Sequence, residues 1–244
     1  MFYPDRLQSI LPCDKVLEIG PGALPHPRAN AYLDKRFDDP VELDAQFGLA
    51  KRKEKLENLT YYDGGKFPYA DNAFDYTICS HVIEHVEESE LDLFFSELTR
   101  VSQRGYIEVP NVFYELICYT HVHKWLIGNE GKTLRFYRKD LLPDISIFTT
   151  FRSLFYNCDQ NLIELFPRYR EVFFIGFEWE DNIDYCIVDS LDKLFGEREL
   201  AFLNGKITTS DFYGGPPLPS ARELLKLNML KLRDILRRRC RLPL

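Results

Sequence analysis

The sequence predicts an α/β protein built on a doubly wound, mostly parallel sheet, and three of its features do so. Short apolar runs alternate with polar, helix-compatible stretches, the pattern of strands joined by crossover helices. The first run, residues 15–19, stops at Gly20-Pro21-Gly22, and the second, residues 30–33, stops at Asp34. Near the end, two β-rich runs are joined only by Glu180-Asp181-Asn182, too short for a parallel crossover.

In chain order, residues 15–19 and 30–33 read as buried strands one and two. Residues 41–56 form a polar, helix-compatible stretch. Leu59-Thr60-Tyr61-Tyr62, stopped by Asp63-Gly64-Gly65, is strand three, and residues 74–80 are strand four. Residues 89–101 put Leu91, Leu93, Phe94, Leu98 and Val101 at near-helical spacing behind Glu87 and Glu88, whose carboxylates suit the positive end of a helix dipole. Strand five follows at residues 104–109. Residues 171–179 and 183–189 then pair as an antiparallel hairpin, so the expected sheet is five parallel strands plus that hairpin. Only residues 20–29 separate the first two strands, and Pro25 and Pro27 interrupt them, so the usual first helix is shortened to a loop.

At 244 residues the chain suits one α/β domain with an appendage. That domain is expected to span residues 1–211. Within it residues 111–170, rich in Phe, Tyr, Trp and His, exceed a usual connection and are expected to cap a substrate. Residues 212–220 form a turn-rich linker. Residues 221–244 follow as an amphipathic helix with Leu225, Met229, Leu232 and Leu236 on one face.

The net charge of −7 divides unevenly: residues 220–244 carry +6 and the remainder −13. An acidic body disfavours nucleic acid, because binding along phosphates needs a positive surface, so DNA is excluded as the main ligand. The basic tail could meet an anionic membrane surface, or dock on its own domain or on another copy as a homo-oligomer. The first residues lack a basic region followed by an apolar stretch, and no run approaches a membrane span, so a cytoplasmic location is expected. Six scattered cysteines without a C-x-x-C pair are expected to be reduced and mostly buried.

The chemistry concentrates at the strand ends. Val16-Leu17-Glu18-Ile19-Gly20-Pro21-Gly22 lets the backbone turn sharply and approach a ligand closely at the carboxyl edge of the sheet. A nucleoside would fit there, with Asp34 accepting hydrogen bonds from both ribose hydroxyls. A Gly-x-Gly by itself is equally compatible with a simple tight turn, and so is Asp63-Gly64. Four of the five histidines, His81, His85, His121 and His123, fall after strands four and five. His81-x-x-Glu84-His85 would share a face in a helical turn, and Glu84 and His85 with His123 form a candidate divalent-metal set. His121 or His123 could instead serve as a general base, with His81 a further catalytic candidate.

With these blocks in order, Glu-x-Gly-x-Gly, then Phe67-Pro68-Tyr69-Ala70-Asp71-Asn72-Ala73-Phe74-Asp75, then Val82-Ile83-Glu84-His85-Val86, the chain resembles class I S-adenosylmethionine (SAM)-dependent methyltransferases of the type 11-like branch. The resemblance covers roughly residues 13–111 and implies a Rossmann-like fold. It also implies that Glu18, Gly20, Pro21, Gly22, Asp34, Asp63, Gly64, Ser80 and His81 hold SAM. Leu24 stands where a third glycine is usual, and the proline-bearing loop is similar to that of a subgroup linked to glycan and polysaccharide methylation. Ubiquinone O-methyltransferases and plant small-RNA 2′-O-methyltransferases have a similar Glu-x-x-Glu-His, with His81 here in place of the first glutamate. Glu-His also occurs in metal-free relatives, where it packs and caps.

SAM is already an activated methyl donor, so the protein mainly positions and deprotonates the acceptor. No Asp/Asn-Pro-Pro-Tyr/Phe follows strand four, where Cys79-Ser80-His81 stands, so oxygen is preferred over a base nitrogen. The expected function is O-methylation of a saccharide or a similar polar small molecule. The alternatives are a non-catalytic SAM-binding partner subunit, or an enzyme acting on a lipid, quinone or RNA ribose hydroxyl.

Overall fold

The structure is a computed structural model that describes residues 1, 3–36, 56–142 and 169–197, with single positions between 145 and 166 and between 200 and 206. The expected helix at 41–56, the linker 212–220 and the helix 221–244 lie outside the described residues, apart from position 56. Two compact units divide between Gly196 and Glu197, and the first holds every element discussed below.

Five parallel strands form as expected: β1 (Val16–Ile19), β2 (Ala31–Lys35), β3 (Leu59–Tyr62), β4 (Tyr76–Ser80) and β5 (Arg104–Pro110). Their spatial order is β3-β2-β1-β4-β5, so the winding reverses between β1 and β4. Ligands of open α/β sheets bind at such a reversal, outside the carboxyl ends of the strands. β1 is buried at every position, and β4 and β5 at all but one end residue, as strands covered on both faces should be. The segment between β1 and β2 holds no helix. Its two prolines and the left-handed Gly20 and Gly22 keep it a loop.

Helix α1 (Glu88–Val101) covers one face. Its Leu91, Phe94, Phe95, Leu98 and Val101 pack on Leu17, Ile19, Leu33 and Ile107, each side chain stabilising by about 1.5–3 kcal/mol when fully buried. The helix also fastens the Phe67–Asp75 block. Glu97 accepts the Phe67 N–H at 2.6 Å, while Arg100 donates to the Phe67 and Tyr69 carbonyls and to Asp71. Tyr3, Val16, Tyr76, Ile78, Tyr106 and Phe174 form the core of the opposite face.

The expected terminal hairpin does not form. β8 (Phe174–Glu180) pairs antiparallel with β5, but β9 (Tyr185–Ile187) leaves the sheet and pairs in parallel with another strand. Asp181, in left-handed backbone, donates its N–H to the Gln103 carbonyl and turns the chain aside. The destination is a second sheet, β6-β7-β9, made with β6 (Trp125–Glu130) and β7 (Thr133–Arg138). Tyr185 of β9 stacks there on Phe95 and meets Phe136 edge-on.

Part of residues 111–170 belongs to this second sheet. After helix α2 (Val112–Cys118), the β6–β7 hairpin inserts Trp125, Ile127, Leu134 and Phe136 into the same core that α1 covers. The aromatic richness of this part is therefore core material. Of the described cysteines, Cys79 and Cys118 are buried and Cys13 and Cys186 exposed, so half depart from the expected burial. No described helix is long and apolar enough to cross a membrane.

If the hairpin is core, Trp125→Ala should lower the unfolding free energy by about 3–5 kcal/mol in urea titration. A loss below about 1 kcal/mol would make the hairpin a detachable appendage.

Candidate functional site

A cleft of about 530 Å³ opens at the carboxyl edge where the winding reverses, within the size range of small-molecule sites. Its walls come from the loop after β1 (Gly20 to Pro27), Asp34 and Lys35 of β2, Gly64 and Gly65 after β3, and Ser80 to Val82 after β4. Glu90, Leu93 and Phe94 of α1 close one side.

The turn at Gly20 is fixed twice over. Its φ is +59°, and a Cβ there would lie 2.5 Å from Cγ2 of Val82. Its N–H donates to the Leu33 carbonyl at 2.8 Å, tying β1's end to β2. Glu18 lines the cleft, and its carboxylate accepts the His26 N–H at 2.8 Å, so it braces the loop that replaces the first helix. Asp34 is 8% exposed and faces the same cleft.

Of the residues expected to hold the cofactor, Glu18, Gly20, Pro21, Gly22, Asp34, Gly64, Ser80 and His81 come together on this cleft. Asp63 does not. Its side chain is 79% exposed and pairs with Arg36 at 3.7 Å.

His81 sits in left-handed backbone with φ +59°, just ahead of a 3-10 turn at Ile83–His85. The expected helical face is therefore absent, yet His81 and Glu84 still meet, with Nδ1 3.3 Å from Oε1. Its Nε2 lies 3.2 Å from Oε1 of Glu108, a buried carboxylate that also accepts from Ser80, Tyr106 and the Tyr3 N–H. Burial pushes the His81 imidazole down, but the carboxylates of Glu108 and Glu84 outweigh it and raise it to about 9. At neutral pH His81 thus already carries its proton, which does not suit a general base.

Glu84, His85 and His123 offer ligand atoms all within 4.8 Å of one another. Glu84 is fully buried; its Oε1 faces the His81 ring, while its Oε2 and Nδ1 of His85 are buried without a hydrogen-bond partner. Burial pushes His85 down to about 4, so its ring is neutral at pH 7. A carboxylate with two imidazoles is a donor set that suits a divalent ion, and unsatisfied buried polar atoms are what such an ion would satisfy.

Two hydrogen bonds to backbone carbonyls bring these residues together across the 38 positions from His85 to His123. Lys124 donates its N–H to the Glu84 carbonyl at 2.7 Å, and Trp125 Nε1 donates to the Val86 carbonyl at 2.7 Å. The rings of His85 and His123 then meet edge-on, with centroids 4.6 Å apart. His85 lines the cleft, whereas His123 lines a second cavity of about 760 Å³ with Tyr119, His121 and Arg138. His121 is exposed on that second cavity and is not a wall of the cleft.

Sequence reasoning did not single out Glu97, Glu108 or Glu115, three buried carboxylates. Their only sequence signal is an acid at a core-facing position. Burial pushes Glu115 up, but His123 and Lys139 more than offset it and keep it ionised.

A loop-bound cleft at the reversal of a parallel sheet, with an acid at the end of β2, is the arrangement of a Rossmann-like fold. Residues 17–107 match the methyltransferase domain family. Among solved structures, a Pyrococcus horikoshii protein is 20% identical over 50% of this chain and 60% of its own, with a TM-score of 0.32. A SAM-dependent methyltransferase from Aquifex aeolicus is 19% identical over 41% and 57%, with a TM-score of 0.27. A structure of a Haloferax volcanii complex between the Trm112 methyltransferase activator and a methyltransferase is 13% identical over 69% and 83%, with a TM-score of 0.38. The chain thus spans about 60% of the first of these proteins. No curated protein sequence matches it significantly.

Two substitutions test the cleft by calorimetric titration with SAM. Asp34→Ala should weaken binding about 10- to 100-fold, the loss of hydrogen bonds to a charged acceptor, while Asp63→Ala should change it less than about twofold. Equal effects would contradict the assignment. Gly20→Ala should cost about 1–3 kcal/mol of stability from backbone strain, in addition to the clash with Val82. Adding Val82→Ala should recover the clash portion, and a strictly additive pair would deny the contact.

Proposed function

We propose that this protein is an O-methyltransferase that transfers the methyl group of SAM to a hydroxyl of a saccharide or a similar polar small molecule. The observation that carries the reading is the group of Glu84, His85 and His123 beside the cleft, where Glu84 Oε2 and His85 Nδ1 have no hydrogen-bond partner and fit a divalent ion. An ion held there would orient adjacent hydroxyls and make one of them more acidic. SAM, when bound, supplies an activated methyl group and needs no covalent help from the protein.

The chain's own residues then have distinct tasks. Gly20, Gly22 and the loop braced by Glu18 cradle the amino-acid part of the donor, and Asp34 binds the ribose hydroxyls. Ser80 and His81, both held by Glu108, line the cleft where the sulfonium end would lie. The acceptor enters by the second cavity, past Tyr119, His121 and Arg138, with His85 and His123 between the two compartments. Polar groups on that wall favour a hydroxyl-rich acceptor over an apolar one.

Stripping with a chelator and adding back Mn²⁺ or Mg²⁺ tests the reading. Turnover should fall at least about 100-fold and recover, with SAM affinity unchanged. The transferred methyl should resist mild base, as an ether does and an ester does not. Full activity in the stripped protein, or a base-labile product, would overturn it.

A further inference from the structure

Beside the second cavity lies a buried ion pair that none of the steps above uses. Glu115 of α2 is 1% exposed and Lys139 is 4% exposed. Removing two charges from water is expensive, so a buried pair is weak evidence of stability and calls for another reason to exist. The two oxygens of Glu115 are divided. Oε1 takes a short hydrogen bond from Nδ1 of His123, and Oε2 accepts from Lys139 Nζ at 2.7 Å. Lys139 is itself held by the Thr120 carbonyl and lies over the Tyr119 ring, 4.1 Å from its centroid.

The local fold builds this contact. α2 ends with Tyr119 in left-handed backbone, and the turn that follows returns His123 to face Glu115 eight residues earlier. With Nδ1 engaged, the nitrogen left to His85 and Glu84 is Nε2.

We propose that Glu115 is a positioning residue: clamped by Lys139, it fixes His123 as the Nδ1–H tautomer and turns Nε2 toward Glu84 and His85. This inference rests on the metal reading for its purpose, but not for its test. Carboxylate partners of metal-ligating histidines act in this way elsewhere, fixing tautomer and ring orientation, and their loss typically weakens metal binding about 10- to 100-fold.

The test uses the full chain without metal. Long-range ¹H–¹⁵N correlation of the histidine rings, with His123 assigned by comparison with His123→Gln, should show Nδ1 protonated and Nε2 not. Finding Nε2 protonated in the wild type overturns the proposal outright. The double variant Glu115→Leu/Lys139→Met removes both buried charges together, so no lone ion is stranded. It should keep SAM affinity within about twofold while His123 loses its single tautomer and Mn²⁺ affinity, read by electron paramagnetic resonance, falls about 10- to 100-fold. An unchanged tautomer in that variant would make Glu115 merely structural. Absence of Mn²⁺ binding in the wild type would sink the metal reading but leave the tautomer result to stand by itself.

Discussion

Everything at the carboxyl edge depends on the left-handed turn at Gly20 pressed against Val82. No Cβ fits there, so β1 must end where it does and the following loop must leave in one direction. Val82 belongs to the turn after β4, which begins with His81 in the same sparsely populated conformation. Two adjacent strand ends at the reversal of the sheet are thereby locked to each other. At His81, which unlike glycine is strained there, such a conformation persists only where the surroundings over-determine it, and Glu108 and Glu84 do so.

The parts legible in the sequence were those set by local chemistry. Apolar runs ended by glycine or aspartate gave the five parallel strands, and Pro25 and Pro27 ruled out a first helix. The cluster of Glu84, His85 and His123 was readable because the same three residue types cluster near strand ends in chain order. The partner of the last strand was not readable, for a physical reason. A run such as Tyr185–Ile187 looks the same whether it pairs with the strand before it or with a distant one. The choice was made by Phe95 and Phe136, which offer Tyr185 an aromatic surface that a pairing with β8 would forgo. That Asp63 and His121 lie outside the cleft was not legible either, because position in sequence fixes neither exposure nor direction.

The β6–β7 hairpin links the two halves of the site. By burying Trp125 and Phe136 beside α1, it sets the height of the backbone at Lys124, whose bond to the Glu84 carbonyl brings His123 against His85. Core packing and site geometry are therefore one construction. A substitution under the hairpin would act on the histidine cluster through the backbone, without touching it.

A crystal of the full chain grown with S-adenosylhomocysteine addresses the central claim most directly. The nucleoside should lie across the ends of β1 and β2, its ribose on Asp34 and its amino-acid part along Gly20 to Gly22, with Val82 still packed on the Gly20 turn. Nucleoside density elsewhere, with Asp34 turned away or the loop folded into the cleft, would contradict it.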